Sequence, residues 1–369
     1  MTNLFAVIAT FPVYSLSIGS TPFQSGLQNT VFALAAVTFR LILGPVMDQK
    51  GAKPLMLIGA FTFATTPLIV MLGSTYWLLL AARVYQAIGL AVFLPGISTM
   101  VAEMAPVKRL GSYLGSSRIF FNLGLLAGPA TAIFLIDNHG FNSWFAVSSI
   151  IGALSLLLLA AVKPGERPVS VRARVGSLSN YAEALRVKAL FPLIAGIALL
   201  SIIYSAIISF TTLHIADTAA GASAAYFFVI FGAAGIIGAL SAGALSDRVE
   251  RSHIAWPLMI ALGFGTILFA FVGYHPALVI ICAIILGIGT QGSSLVFAAW
   301  LLDLAKPGLR ATTVSIQENT IDICFAFGAL FFGLAAQGPG LDSAFIAVGV
   351  IIVIAIIPLS NLSKNLTNK

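Results

Sequence analysis

The chain has 369 residues, of which 59% are hydrophobic and only 8% are Asp, Glu, Lys or Arg, with a formal net charge of +7. Soluble proteins carry roughly 25% charged residues, so too few charges remain here to cover a water-facing surface. The apolar residues come in long runs broken by short polar stretches, which makes the solvent lipid and argues against nucleic-acid binding, a secreted disulfide scaffold or an ordinary cytosolic enzyme.

Twelve apolar segments long enough, or nearly so, to cross a bilayer follow one another at 2–17, 25–47, 54–73, 76–100, 113–136, 143–162, 190–212, 222–245, 255–274, 276–301, 313–336 and 342–360. A helical crossing takes ~20 residues, and all but the first reach that length comfortably. Span 1 has only eleven residues before Pro12 and is expected to be a truncated first helix. The opening MTNLFAVIATFPVYSLSIGS shows no basic lead or small-residue cleavage site, so no cleavable signal peptide is expected. Continuous runs, rather than alternating ten-residue ones, argue against a β-barrel. The expected fold is an all-α membrane protein of twelve transmembrane helices.

Sixteen of the nineteen basic residues fall in alternate connections: Lys50 and Lys53; Lys108 and Arg109; Lys163, Arg167, Arg172, Arg174, Arg186 and Lys188; Arg248 and Arg251; Lys306 and Arg310; Lys364 and Lys369. The opposite connections hold Asp137, Asp217 and Asp342 and no base. The positive-inside rule places the sixteen, and both termini, in the cytoplasm. The one long connection divides the chain into a six-span bundle (1–162), a cytoplasmic linker (163–189) and a second six-span bundle (190–369). Within the linker, SLSNYAEALRVKAL can form an amphipathic helix lying on the inner membrane face.

The halves echo each other. Gly44-Pro-Val-Met-Asp48-Gln-Lys50 after span 2 recurs as Gly243-Ala-Leu-Ser-Asp247-Arg248 after span 8, at an offset of 199. RIFFNLGLLAG, ending at Gly128, lies over ENTIDICFAFG, ending at Gly328, at an offset of 200 that sets Arg118 over Glu318 and Asn122 over Asp322. Repeats of this sort build transporters that alternate access around a site where the halves meet.

These residues carry a resemblance. GPVMDQKGAK and GALSDRVER resemble the two copies of the signature loop of the major facilitator superfamily, although Gln49 stands where arginine is usual. Arg83-Val-Tyr-Gln86-Ala-Ile-Gly89 resembles that family's RxxQGxG segment, with Ala87 replacing a glycine. Gly115, Gly124, Gly128 and Pro129 fit its antiporter pattern in span 5, and the pattern's closing glycine pair is lost to Ala132-Ile133. The resemblance implies two pseudo-symmetric six-helix bundles and, through span 5, export of the proton-coupled drug or arabinose-efflux type. It also implies a cavity lined by spans 1, 4, 7 and 10, which would collect Tyr14, Arg83, Gln86, Tyr204 and Gln291.

Physically, Asp48 and Asp247 can accept charge-assisted bonds from Lys50, Arg248 or a neighbouring helix N-terminus and so latch an inner gate. A glycine turn with topology-setting charges would look the same. The span 5 glycines and Pro129 admit a close helix and bend their own, whether or not antiport needs it. Three arginines (Arg40, Arg83, Arg118) and two acids (Glu318, Asp322) lie within spans, each costing at least ~2.5–3.5 kcal/mol on insertion scales. Glu318 and Asp322, four apart, share one helix face and repel each other when both are ionised, which makes the pair a candidate proton carrier. The competing reading for Glu318 is a static ion pair with Arg40, because the resemblance makes spans 2 and 11 neighbours. Arg83 can meet an anionic substrate group, modulate the carboxylates or simply bond backbone carbonyls. Arg118 and Asn122 can meet substrate from the opposite half.

His139, His214, His253 and His275 are too dispersed for a metal site, Cys282 and Cys324 read as buried small hydrophobes, and no GxxxxGK[ST] loop is present. No metal, cofactor or ATP is therefore expected. The expected protein is a monomeric, proton-coupled exporter of a small organic compound in a bacterial inner membrane. Symport of a sugar or organic acid is the rival mechanism, and a membrane-embedded sensor the rival class.

Overall fold

The computed structural model describes residues 2–104, 110–162, 178–218, 223–246, 248–306 and 309–367. Their α-helices are α1 (Thr2–Ser17), α2 (Pro22–Lys50), α3 (Ala52–Met71), α4 (Tyr76–Met104), α5 (Leu110–Ala161), α6 (Leu178–Leu185), α7 (Leu190–Thr218), α8 (Ala224–Ser246), α9 (Ser252–Phe269), α10 (Pro276–Leu304), α11 (Arg310–Gln337) and α12 (Leu341–Thr367). Spans 5 and 6 are joined in α5, where Gly140 adopts φ +79° and breaks the helix in two. A side chain would strain that conformation, so glycine makes a hairpin of one continuous run. With α5 counted as two crossings and α6 set aside, the twelve spans are all present.

Helices in lipid satisfy their backbone groups internally, so what holds them together is close packing. The chain separates into two compact units, Met1–Val171 and Arg172–Lys369. In the first, α1 packs on the leading part of α5, α2 on α4, and α3 on α4 and the trailing part of α5. In the second, α7 packs on α11, α8 on α10, and α9 on α10 and α12. The two sets are the same under the 200-residue offset. Gly128 shows why the repeat keeps a glycine: a Cβ there would lie 2.4 Å from the Thr2 carbonyl oxygen. At the matching Gly328 a Cβ would lie 2.8 Å from the carbonyl oxygen of Ile202.

The start of α3 and the end of α5 are stitched by Lys53, whose Nζ donates to the carbonyls of Ala160 (2.9 Å) and Val162 (2.6 Å). These are among the last carbonyls of a helix, which have no partner along the axis. The equivalent ends of α9 and α12 use Trp256 Nε1 donating to Ser363 Oγ at 3.1 Å. The linker's amphipathic helix, α6, buries Ala184 against Leu309 and Ile316 and ties Glu183 to Lys306 at 3.1 Å. Outward faces are apolar at helical spacing, as at Ile150, Leu154, Leu157 and Leu158 or at Val350, Ile354 and Ile357. Such stripes suit lipid and no aqueous surface.

Candidate translocation site

Pro12 in the middle of α1 has no N–H, so the carbonyl of Ile8 one turn earlier loses its helical donor. The amide of Asn29 on α2 approaches that carbonyl, Nδ2 to O, at 3.4 Å. Pro12's own carbonyl accepts from Ser25 Oγ at 3.0 Å. A sequence-encoded break in one helix thus selects polar residues on its neighbour.

Asn29 turns its other end to α4. Its Oδ1 accepts from Arg83 Nη2, and Arg83 Nη1 donates to Gln86 Oε1 at 2.6 Å. The guanidinium carbon lies 4.0 Å from the ring centre of Phe32 and 5.3 Å from that of Phe11. Arg83 is 0% exposed, and among the described residues it forms no ion pair. Its charge is held by two amide oxygens and two aromatic faces, each desolvated cation–π contact contributing up to about 2 kcal/mol. Arg83 Nε and Gln86 Nε2 are buried without a hydrogen-bond partner, so two donors remain unspent. The sequence placed Arg83 and Gln86 together. It did not find Asn29, Phe11 or Phe32, because neutral amides and phenylalanines do not stand out in an apolar run.

The other expected cavity residues are distributed as follows. Tyr14 is buried in an aromatic cluster with Phe141 and Phe145. Tyr204 on α7 stacks edge-on to Phe325 of α11, and its hydroxyl is buried without a partner. Gln291 on α10 lies against Gly235 of α8, where an added Cβ would come within 2.8 Å of its Cγ. On α11, Asp322 is 9% exposed and Glu318 half-buried; both are engaged, as is half-buried Arg40 on α2. Gly124, Gly128 and Pro129 are buried on α5.

Of the residues expected at a gate, Lys50 is exposed in the last turn of α2, where the helix dipole favours a cation. Gly44 has open space beside it, while a Cβ on Gly243 would meet Leu295 at 2.9 Å. Arg248 is exposed. Three residues on, Arg251 pairs with Asp303 at the end of α10, Nε to Oδ2 at 2.5 Å, a contact whose acid the loop motif does not contain. Gly115 lies in the leading part of α5, while Asp247 and the side chains of Asp48, Arg118 and Asn122 lie outside the described residues.

Two six-helix units with matching packing, together with ionisable residues inside their helices, define a multi-pass membrane carrier. The chain belongs to the Major Facilitator Superfamily, whose sequence profile matches residues 1–274 and 212–364. It is similar to Quinolone resistance protein NorA of Staphylococcus aureus, with 26% identity over 152 residues, covering 41% of this chain and 38% of NorA. An uncharacterized MFS-type transporter of Methanocaldococcus jannaschii is 28% identical over 146 residues, covering 40% of this chain and 38% of that one. The matches therefore span less than two-fifths of either relative. Among solved structures, a bacterial homolog of the human lysosomal transporter Spinster, inward-facing and unoccupied, aligns with TM-score 0.79 at 16% identity over 100% of this chain and 95% of its own. A POT family transporter in complex with a thioalcohol-conjugated peptide aligns with TM-score 0.81 at 15% identity, over 99% and 94%. At these identities the structures speak to fold alone.

Proposed function

We propose that this transporter exports a small organic compound in exchange for protons, by alternating access. The observation that carries the reading is the distribution of buried charge. The N-terminal unit seals an arginine, Arg83, among neutral groups. The C-terminal unit carries two acids one turn apart, Glu318 and Asp322, inside a membrane helix. Proton binding to the Glu318/Asp322 pair favours one orientation and substrate the other. Tyr14, Tyr204, Gln86, Gln291, Arg118 and Asn122 contribute the polar lining. The signature loops, through Asp48 with Lys50 and Asp247 with Arg248, hold the inner gate, assisted by Arg40.

Acids within a helix of one unit and a buried arginine in the other suit a substrate that carries both signs of charge. A quinolone, with a carboxylate and a basic amine, has that chemistry, and the partial likeness to NorA supports trying one first. In this reading the chain works as a monomer in the bacterial cytoplasmic membrane with both termini inside. The test is accumulation of substrate inside inside-out vesicles energised by a proton gradient. A Glu318→Gln, Asp322→Asn double variant should lose gradient-driven transport; unchanged rate and pH dependence would remove these residues from the mechanism. Counterflow in oriented vesicles separates export from symport, and a complete absence of flux would favour a sensor.

A further inference from the structure

His214 is 1% exposed near the end of α7 that lies away from the basic connections. Its ring sits between Phe269 of α9 and Phe345 of α12, with both ring centres 5.0 Å away. The two imidazole nitrogens have unlike neighbours. Nε2 lies 2.9 Å from the carbonyl oxygen of Phe269, and Nδ1 lies 3.4 Å from Oδ1 of Asp342 in the first turn of α12.

Phe269 closes α9, so its carbonyl belongs to the last turn and has no partner along the helix. A carbonyl can only accept, so Nε2 must carry a hydrogen. That leaves Nδ1 facing a carboxylate oxygen. A neutral imidazole would present a lone pair there, and an ionised Asp342 would present another. The contact is attractive only if one proton lies between them, as imidazolium with carboxylate or imidazole with carboxylic acid. The last turn of α9 also places the negative end of its dipole on the ring, which favours a cation.

The internal repeat shows that packing does not require these residues. At the 200-residue offset His214 matches Tyr14, Phe345 matches Phe145, and Asp342 matches Asn142. In the N-terminal unit the place is filled by a purely aromatic contact, Tyr14 to Phe145 at 5.0 Å. The C-terminal unit keeps the aromatic partner and replaces the rest with two titratable groups.

We propose that His214 and Asp342 form a proton-binding site at the outer end of the C-terminal unit, whose proton fastens α12 and α9 to α7. The ring is enclosed, while Asp342 is 56% exposed, so the proton exchanges with water through the carboxylate. Asp217, one turn further along α7 and exposed, adds a second negative charge nearby. The connection after α9 contributes exposed Tyr274 and His275, the latter occupied in capping α10 through Nδ1 at 3.1 Å. Phe332 of α11 packs on Phe345 behind the ring, 4.9 Å between ring centres, and Thr218 Oγ1 donates to the His214 carbonyl at 2.5 Å. Burial of the ring opposes its charge and the two carboxylates favour it. The site fills as the outside becomes acidic and empties as it becomes alkaline. This inference does not depend on the direction of transport or on the substrate.

The test uses the full-length protein in lipid nanodiscs with 15N-labelled histidine. His139, His253 and His275 are exposed, so His214 is assigned by difference from His214→Tyr, which restores the aromatic residue of the other repeat and is expected to fold. The expected result is a His214 signal with Nε2 protonated throughout and Nδ1 gaining its proton as pH falls from 8.5 to 5.5. Asp342→Asn should abolish that step. In melting experiments the wild type should gain about 2–4 °C over Asp342→Asn at pH 5.5, the shift of a single favourable contact, and nothing at pH 8.5. A His214 Nδ1 that stays unprotonated across this range, or titrates unchanged in Asp342→Asn, overturns the proposal. So does a His214→Tyr variant that keeps the wild-type pH dependence of melting.

Discussion

Replacing Asn29 with alanine tests the Arg83 cage directly. The substitution removes the acceptor of Arg83 Nη2 and the donor facing the Ile8 carbonyl in one step. A hydrogen bond to a charged group contributes about 1.5–3 kcal/mol, and leaving a buried polar group unpaired costs about 1–3 kcal/mol. The two losses share one side chain and do not simply add, so about 3 kcal/mol is expected. In a unit of 171 residues each kcal/mol moves the midpoint by roughly 2–4 °C. Asn29→Ala should therefore melt about 6–12 °C below wild type, read by size-exclusion chromatography of detergent-purified protein after a heating series. Asn29→Asp separates charge from packing: it keeps the acceptor, cancels the charge of Arg83 and gives up only the bond to Ile8. It should melt within about 4 °C of wild type and transport poorly. An Asn29→Ala variant within about 2 °C of wild type would refute the cage as a structural element. Normal transport by Asn29→Asp would show that the uncompensated charge of Arg83 is not needed.

Three further outcomes follow from the packing. Gly128→Val should destabilise by about 1–3 kcal/mol as an overpacked contact, because its Cβ meets the Thr2 backbone, whereas Gly44→Ala, with open space around it, should be silent in the same melting assay. Lys53→Met should expose the end of α5 to faster amide exchange around Ala160 and Val162, with no change in the C-terminal unit; equal exchange rates would contradict the stitch. Asp303→Asn should change stability by no more than about 1 kcal/mol, since the Asp303 carboxylate is exposed and its pairing with Arg251 is screened by water, and any larger effect on transport than on melting would mark that pair as part of the inner gate.

Most of the fold was legible in the sequence because lipid enforces it. A span must be long, apolar and helical, and the alternation of bases from Lys50 to Lys369 counts the crossings independently. The hairpin within α5 falls in the polar gap the sequence leaves between spans 5 and 6, from Asp137 to Asn142, and Gly140 turns the backbone there. The repeat set the two halves in register, and the helix pairs of one half recur in the other. The site was legible only where charge marks it. Arg83, Glu318 and Asp322 stand out because each is costly in lipid, while Asn29, Phe32 and Phe11 gain their importance from what they touch. Pro12 offered a partial signal, because it vacates the Ile8 carbonyl, but which donor fills it is a tertiary fact. In the chain His214 is one of four dispersed histidines, and it is enclosed only by the approach of α9 and α12.

Exchange of protons for substrate is the central claim, and simultaneous measurement of both in one membrane tests it most directly. Purified protein in proteoliposomes, with a pH dye trapped inside and a quinolone as first substrate, should release protons into the lumen as substrate leaves it. The Glu318→Gln, Asp322→Asn double variant should still exchange labelled for unlabelled substrate but ignore an imposed pH gradient. Substrate movement without proton movement, or a double variant that follows the gradient like wild type, would contradict the account.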